Sequence, residues 1–176
     1  EEYRLSKMAQ SVLIAHGYQQ YEISNYARKG YACYHNTVYW RRGDYLGLGI
    51  GAASMVGDRR MVNVRDIYQY MDLCTGELTS NNIEETENLT SPLWQEVTQL
   101  SKKDAMEEFM FLGLRMNAGV TRDDFAKCFS CSIESVYGDV IKNLRQEALL
   151  EVAEGRIFLT DRGMDLSNYA LAQFLL

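Results

Sequence analysis

Residues 149–159, Leu-Leu-Glu-Val-Ala-Glu-Gly-Arg-Ile-Phe-Leu, decide the fold of the second half of the chain. Two short runs rich in apolar and β-branched residues flank the tripeptide Ala-Glu-Gly. Such runs, separated by a three-residue loop that contains glycine, are typical of a β-hairpin. The sequence therefore predicts two antiparallel strands at 149–152 and 156–159.

Helical periodicity surrounds this hairpin. Apolar residues recur at helical spacing over 101–116 and 133–147, and Thr121 starts a further helix as an N-cap residue with Asp124 three positions on. Thr160 caps a last helix that runs towards the C-terminus. Three helices, a hairpin and a closing helix predict a winged-helix-like domain.

The first half of the chain has a different pattern. Residues 4–16 form an amphipathic helical pattern that ends at His16-Gly17. The aromatic and β-branched run 18–26 follows and predicts a strand through Ile23. A further helix is predicted over 65–73. A helix joined to a strand by one glycine is typical of a sheet with helices packed on it, so this half is α/β and the second half is α+β. The pattern begins on a helix, which predicts that further strands of the same sheet come before this helix in the protein.

A polar stretch separates the two halves. It contains Asn81-Asn82 and the single proline, Pro92. We therefore predict one domain over 1–74, a linker over 75–100 and a second domain over 101–176.

Composition excludes some functional classes. Of the 176 residues, 47% are hydrophobic and 24% are charged, and the formal net charge is −6. The candidate recognition helix 133–147 carries more acidic than basic side chains, which is unsuited to phosphates, so nucleic-acid binding is not expected. No apolar run approaches the roughly 20 residues needed to cross a bilayer. Four dispersed cysteines indicate reduced thiols and a cytoplasmic protein.

Cys128 and Cys131 have the CxxC spacing of some metal and redox sites. A zinc site needs about four ligands, and the sequence has no second pair and no nearby histidine. We therefore expect these cysteines to be structural. No CxxxCxxC sequence is present anywhere in the chain.

The segment 45–56 is apolar and contains Gly47, Gly49 and Gly51 at alternate positions. It has neither the GxGxxG pattern that opens a helix nor the lysine of a phosphate-binding loop. We predict a buried strand whose backbone is closely approached by another group. Its chemistry alone leaves ligand contact and tight packing open.

His35 lies among aromatic residues and is followed by Arg41-Arg42. An imidazole could ligate haem iron, aromatic rings could cover the macrocycle and guanidinium groups could pair with its propionates. The alternative is a His-Asn pair that satisfies loop backbone under an aromatic cluster, and the residues alone favour this second interpretation. His16 ends a helix and is expected to act as a cap.

Several stretches together resemble the oxygen-independent coproporphyrinogen oxidase-like family. The resemblance runs in order along nearly the whole chain, through Tyr21–Ala27, the motif His35-Asn36-x-x-Tyr39-Trp40, the glycine-rich segment 46–54, residues 108–120 and residues 159–168. It implies that residues 1–74 are the last strands and helices of a partial (βα) radical-S-adenosylmethionine (SAM) barrel. The His-Asn-x-x-Tyr-Trp motif is associated with haem binding in the haem-chaperone branch.

The resemblance also implies a parent protein with a [4Fe–4S] cluster and SAM. From this resemblance the first expectation is haem binding and transfer to acceptor proteins, and the alternative is oxidative decarboxylation of porphyrinogen propionates to vinyl groups. A hypothesis of a different class is a non-enzymatic interaction module, in which the winged helix docks a partner protein. Without CxxxCxxC, this chain alone should not catalyse radical chemistry, and the barrel edge is expected to support dimerisation. The implied haem site is His35, as iron ligand, with Asn36, Tyr39 and Trp40, and the implied SAM-adjacent strand is Gly51, Ala52, Ala53 and Ser54.

Overall fold

Side-chain caps define the helices of the C-terminal half. In the computed structural model, which describes residues 1–75 and 91–176, Thr121 Oγ1 accepts a hydrogen bond from the Asp124 amide at 3.0 Å. Thr160 Oγ1 accepts one from the Gly163 amide at 2.9 Å. Both predicted N-caps are therefore confirmed, and the helices that follow them begin where the sequence indicates.

The described elements mix helices and antiparallel strands. In chain order they are α1 Glu2–Ala15, β1 Gln19–Glu22, β2 Asn25–Ala27, α2 Tyr34–Trp40, β3 Ala53–Val56, β4 Arg59–Asn63, α3 Ile67–Thr75, β5 Trp94–Gln99, α4 Lys102–Gly113, β6 Val120–Thr121, α5 Arg122–Phe129, α6 Ile133–Gln146, β7 Leu150–Ala153, β8 Arg156–Leu159, α7 Asp161–Asp165 and α8 Ser167–Ala172. The strand pairs are β1–β2, β3–β4–β5 and β6–β8–β7, all antiparallel. No helix in the described ranges is long and apolar enough to cross a membrane.

The predicted hairpin is present as β7 and β8, with Leu150 opposite Leu159 and Ala153 opposite Arg156. Strand β6 adds to its other side through Val120 and Ile157. The apolar faces of α4, α5, α6 and α8 pack with this sheet around a core of buried residues. That core is Ala105, Met106, Met110, Leu114, Val120, Phe125, Phe129, Ile133, Tyr137, Ile141, Leu144, Leu149, Leu150, Ile157, Leu159, Ala170 and Phe174.

Two compact units are present, and each is described by itself. The first comprises Glu1–Arg42 and Lys102–Leu176, and the second comprises Gly43–Ser101. This grouping differs from the predicted division at 1–74, 75–100 and 101–176. The polar stretch expected to hold the boundary lies mostly outside the described residues, but residues 94–99 of the predicted linker form β5 and pair with β4.

One predicted strand matches the structure and a second differs from it. The strand predicted from Tyr18 through Ile23 is present as β1, and after a turn at Ile23-Ser24 the chain pairs back on it as β2. In the glycine-rich segment, only Ala53–Val56 forms a strand. Gly49 and Gly51 have φ values of +103° and +62°, which no regular strand contains, so the continuous buried strand predicted over 45–56 is wrong.

Candidate functional site

Helix α2 carries all four residues of the His-Asn-x-x-Tyr-Trp motif. It follows Cys33, whose extended backbone (φ −63°, ψ 113°) is suited to a helix start. The sequence predicts only a short helical turn from Asn36 to Arg41 at this position. Because side chains four positions apart share a helix face, the motif divides into an outer pair, His35 and Tyr39, and an inner pair, Asn36 and Trp40.

The His35 ring of the outer pair is available to a ligand. The His35 side chain is exposed, and its ring centroid lies 5.9 Å from that of the half-buried Tyr39 at an interplanar angle of 57°. Within residues 1–75 and 91–176, the imidazole makes no hydrogen bond and no ion pair. An exposed imidazole without a competing partner is free to ligate a metal ion.

The inner pair attaches the helix to the rest of the first unit. Asn36 Nδ2 donates a hydrogen bond to the Tyr21 hydroxyl at 3.4 Å. The Arg115 guanidinium lies 4.3 Å from the centroid of the Trp40 ring, a cation–π contact. These contacts orient α2, so the motif combines an exposed imidazole and a half-buried tyrosine ring with two anchoring side chains.

A buried carboxylate supports this anchor. The Glu22 side chain is fully buried and accepts hydrogen bonds from the Ser24 amide at 2.9 Å and from Asn25 Nδ2 at 2.5 Å. Arg115 Nη2 lies 3.5 Å from its other oxygen. A buried carboxylate needs such partners, because desolvation of an isolated charge is costly. The stack Glu22–Arg115–Trp40 was not predicted from the sequence, although a glutamate inside an aromatic run is an unusual signal.

The two arginines after α2 have different environments. Arg42 Nε lies 3.3 Å from Glu108 Oε2, and the two side chains are only 13% and 9% exposed. Arg41 is exposed. The expectation that the Arg41-Arg42 pair would meet propionates therefore needs correction, because Arg42 is already paired with a nearly buried carboxylate.

The four predicted SAM-adjacent residues lie in the second unit. Gly51 is exposed, Ala52 and Ala53 are half-buried, and Ser54 is buried with its hydroxyl accepting from the Gly47 amide at 2.9 Å. They belong to a loop that enters β3, and the structure brings them together within that unit.

Asn63 holds this loop, and it was not predicted from the sequence. Its side chain is 3% exposed, and Nδ2 donates to the carbonyl oxygens of Gly47 and Gly49 at 3.1 and 2.9 Å. Its position in the strand could have indicated burial, because Met61 and Asn63 are two residues apart and point to the same buried face of β4.

The cysteines do not provide an iron–sulfur site. Cys128 lies in α5, Cys131 follows it, and both are free thiols. Among residues 1–75 and 91–176 no group of three or more His, Cys, Asp or Glu side chains could hold a metal ion. The described residues therefore do not fit the [4Fe–4S] cluster that the resemblance implies.

Known proteins match this chain over nearly its full length. The family model of the HemN C-terminal domain matches residues 100–166. A "Heme chaperone HemW" of Bacillus subtilis is 32% identical over 175 residues, which is 99% of this chain and 43% of that protein. The protein of the same name from Lactococcus lactis is 36% identical over 94% of this chain and 40% of its own length. The chain thus spans about two fifths of the length of these curated relatives.

A solved structure, the radical SAM enzyme coproporphyrinogen III oxidase (HemN) from Escherichia coli, has the same fold. The TM-score is 0.65 at 19% identity, over 96% of this chain and 39% of that one. At this identity the likeness concerns the fold alone. The sequence matches show the family relationship: the chain belongs to the oxygen-independent coproporphyrinogen oxidase-like family of radical SAM proteins, with residues 100–166 as its HemN C-terminal domain.

Proposed function

We propose that this chain is the haem-binding part of a haem chaperone, and that His35 is the ligand of the haem iron. The observation that carries the proposal is the exposed His35 imidazole on α2, which lies beside the half-buried Tyr39 ring and has no hydrogen-bond or ion-pair partner within the described residues. The names of the relatives from B. subtilis and L. lactis support the same function. Haem is the cargo, and an acceptor protein would receive it.

Each motif residue then has a distinct role. A ring nitrogen of His35 binds the iron, and the Tyr39 ring lies beside the macrocycle. Asn36 and Trp40 hold α2 in position through Tyr21 and Arg115. Transfer requires that the protein release its ligand, and a site on an exposed helix face leaves the haem accessible to an acceptor.

The proposal extends to the wider architecture. Residues 1–74 would be the last part of a radical SAM barrel, and 101–176 a winged-helix-like domain with the hairpin β7–β8 as the wing. The stretch 75–100 would connect them, with its residues 94–99 paired to β4 as β5. The cluster, SAM and the radical chemistry would belong to the parent protein, with Gly51, Ala52, Ala53 and Ser54 beside SAM. We also propose a cytoplasmic location, consistent with four free cysteines.

Two alternatives to the haem chaperone are an oxidase and an interaction module that does not bind haem. The E. coli protein of the same fold is an oxidase, but that likeness carries the fold alone and does not extend the activity to this chain. An interaction module without haem would make the His35 motif purely structural.

Titration with haem tests the main proposal. His35→Ala should lose the ligation-dependent Soret shift and weaken haem binding by at least about tenfold, or ~1.4 kcal/mol. His16→Ala is the matched control, because the His16 ring lies 2.8 Å from the Val12 carbonyl oxygen at the end of α1 and is already engaged. Identical Soret spectra and affinities for wild type and His35→Ala would refute ligation by His35.

A further inference from the structure

A cleft of about 490 Å³ opens in the first unit beside the end of α2. One part of its wall is apolar and includes the rings of Trp40 and Phe109 with Met116 and Val120, and polar side chains line the rest. The volume lies within the roughly 300–1,000 Å³ range of small-molecule sites, whose linings are mainly apolar and aromatic.

Positive charge is concentrated at this cleft. Arg41, Lys127 and Arg156 line it, against one carboxylate, Asp124. The whole chain has the opposite balance, with 18 basic and 24 acidic residues. The local excess of cations therefore favours an anionic ligand.

Most of these cationic groups have donors to spare. Arg41 is exposed and makes no ion pair with any residue that the structure describes. Arg156 uses Nη1 to donate to the Ala118 carbonyl at 3.2 Å, and a guanidinium has five N–H donors. Lys127 Nζ lies 3.9 Å from Asp124, with side chains 77% and 59% exposed, so the solvent screens this pair strongly.

We propose that this cleft binds a small molecule that joins a flat apolar ring system to an acidic group. The rings would lie against Trp40 and Phe109, and the acidic group would meet Arg41, Lys127 and Arg156. The site is separate from the proposed haem ligand. Trp40 lies five positions after His35, and at 3.6 residues per turn their side chains lie roughly 140° apart around α2.

Two fluorescent probes with a common ring system test the chemistry. The anionic probe is 1-anilinonaphthalene-8-sulfonate, and its uncharged counterpart is N-phenyl-1-naphthylamine. The full chain should bind the anionic probe more tightly than the neutral one. Lys127→Gln/Arg156→Gln should weaken the anionic probe at least about fivefold, since each lost ion pair contributes up to ~1 kcal/mol. It should leave the neutral probe unaffected.

Arg145→Gln is the matched control. Arg145 is an exposed cation on α6 that does not line the cleft. This change should not alter the affinity of either probe. Equal affinities for the two probes, or an unaltered affinity in the double variant, would overturn the proposal.

Cys128 reports where the probe binds. It lines the cleft and is exposed, whereas Cys33 and Cys74 are exposed thiols that do not line it. The anionic probe should slow alkylation of Cys128 by iodoacetamide at least about threefold at saturation, since a bound ligand excludes the reagent. Alkylation of Cys33 and Cys74 should keep its rate. An unchanged rate at Cys128 would locate the probe elsewhere and refute the site.

Discussion

At the scale of single residues, Tyr137 is a buried side chain with an unsatisfied polar atom. It is fully buried between Phe125 and Phe174, with ring-centroid distances of 6.2 and 5.4 Å, and its hydroxyl has no hydrogen-bond partner among the described residues. An unpaired buried hydroxyl costs about 1–3 kcal/mol. Tyr137→Phe keeps the ring, and we expect it to leave the free energy of unfolding in urea unchanged or raise it by up to ~1 kcal/mol.

Tyr169→Phe is the control for this change. The Tyr169 hydroxyl donates to Glu147 Oε1 at 3.3 Å on the surface, so its removal should alter the unfolding free energy by less than about 0.5 kcal/mol. A loss of more than ~1 kcal/mol in Tyr137→Phe would show that the buried hydroxyl has a partner, such as a trapped water.

The same hydroxyl predicts a pH dependence. Burial, with a smaller contribution from the Glu107 charge, raises the pKa of Tyr137 to about 12. Unfolded tyrosine ionises near pH 10, so above that pH the unfolded state releases the proton first. The stability that comes from keeping Tyr137 protonated in the folded state is fully present below about pH 10. It is lost as the pH rises towards 12. Over this window, urea unfolding of the wild type should lose ~1 kcal/mol more per pH unit than that of Tyr137→Phe. Parallel slopes would contradict the raised pKa.

How much the sequence could predict of the candidate site varies from residue to residue. His35 became a candidate haem ligand through the intact motif, because its aromatic and basic neighbours alone favoured a structural role. Glu22 and Arg115 were not, because residues 93 positions apart meet only in the folded chain. Asn36 and Trp40 were assigned to the ligand, whereas their contacts are with Tyr21 and Arg115, which no local pattern could reveal.

At the scale of elements, one buried amide holds the glycine-rich loop. Replacing Asn63 with leucine keeps a similar volume but removes both donors to the Gly47 and Gly49 carbonyls. We expect a loss of about 1–3 kcal/mol in unfolding free energy and faster amide hydrogen exchange at Gly47 and Gly49. The Gly47 amide bonds to Ser54 and the Gly49 amide to Tyr70, so both are protected in the intact loop.

Asn117→Leu serves as the comparison for this loop. Asn117 Nδ2 donates to the Gln20 carbonyl at 2.9 Å in the first unit, and the side chain is exposed. Exchange at the two glycines should keep its wild-type rate in that variant. If Asn63→Leu also leaves exchange unaltered, the loop is held by its backbone bonds alone.

Element prediction succeeded where local signals agree with packing. The caps of α5 and α7 and the turn between β7 and β8 lie where the pattern indicates, because capping and turn chemistry act within a few residues. Strand β5 was missed, since Trp94–Gln99 is polar and largely exposed and forms only by pairing with β4. The prediction of a buried strand in the glycine-rich segment was wrong, because the apolar residues indicate burial while the glycines permit a loop.

At the scale of the whole molecule, apolar surface and net charge act in opposite directions. The second unit exposes Leu46, Leu48 and Ile50 by 66%, 88% and 48%, in the loop that follows Tyr45. Burying a leucine contributes about 1.5–3 kcal/mol, so these side chains favour contact with another apolar surface. The net charge of −6 opposes self-association, and salt screens that repulsion.

We therefore expect the chain to associate with itself through residues 46–50, more strongly at higher salt, in sedimentation velocity across a concentration series. Leu46→Lys/Leu48→Lys should raise the dissociation constant at least about tenfold, because two lysines cannot be buried without partners. Two added lysines bring the net charge closer to zero, which by itself would favour association, so a loss cannot come from repulsion. Helix α1 also exposes apolar side chains, and Leu5→Lys/Met8→Lys supplies the same charge change there. If only the α1 variant dissociates, residues 46–50 are not the contact. The same conclusion follows if the wild-type chain stays monomeric at all concentrations.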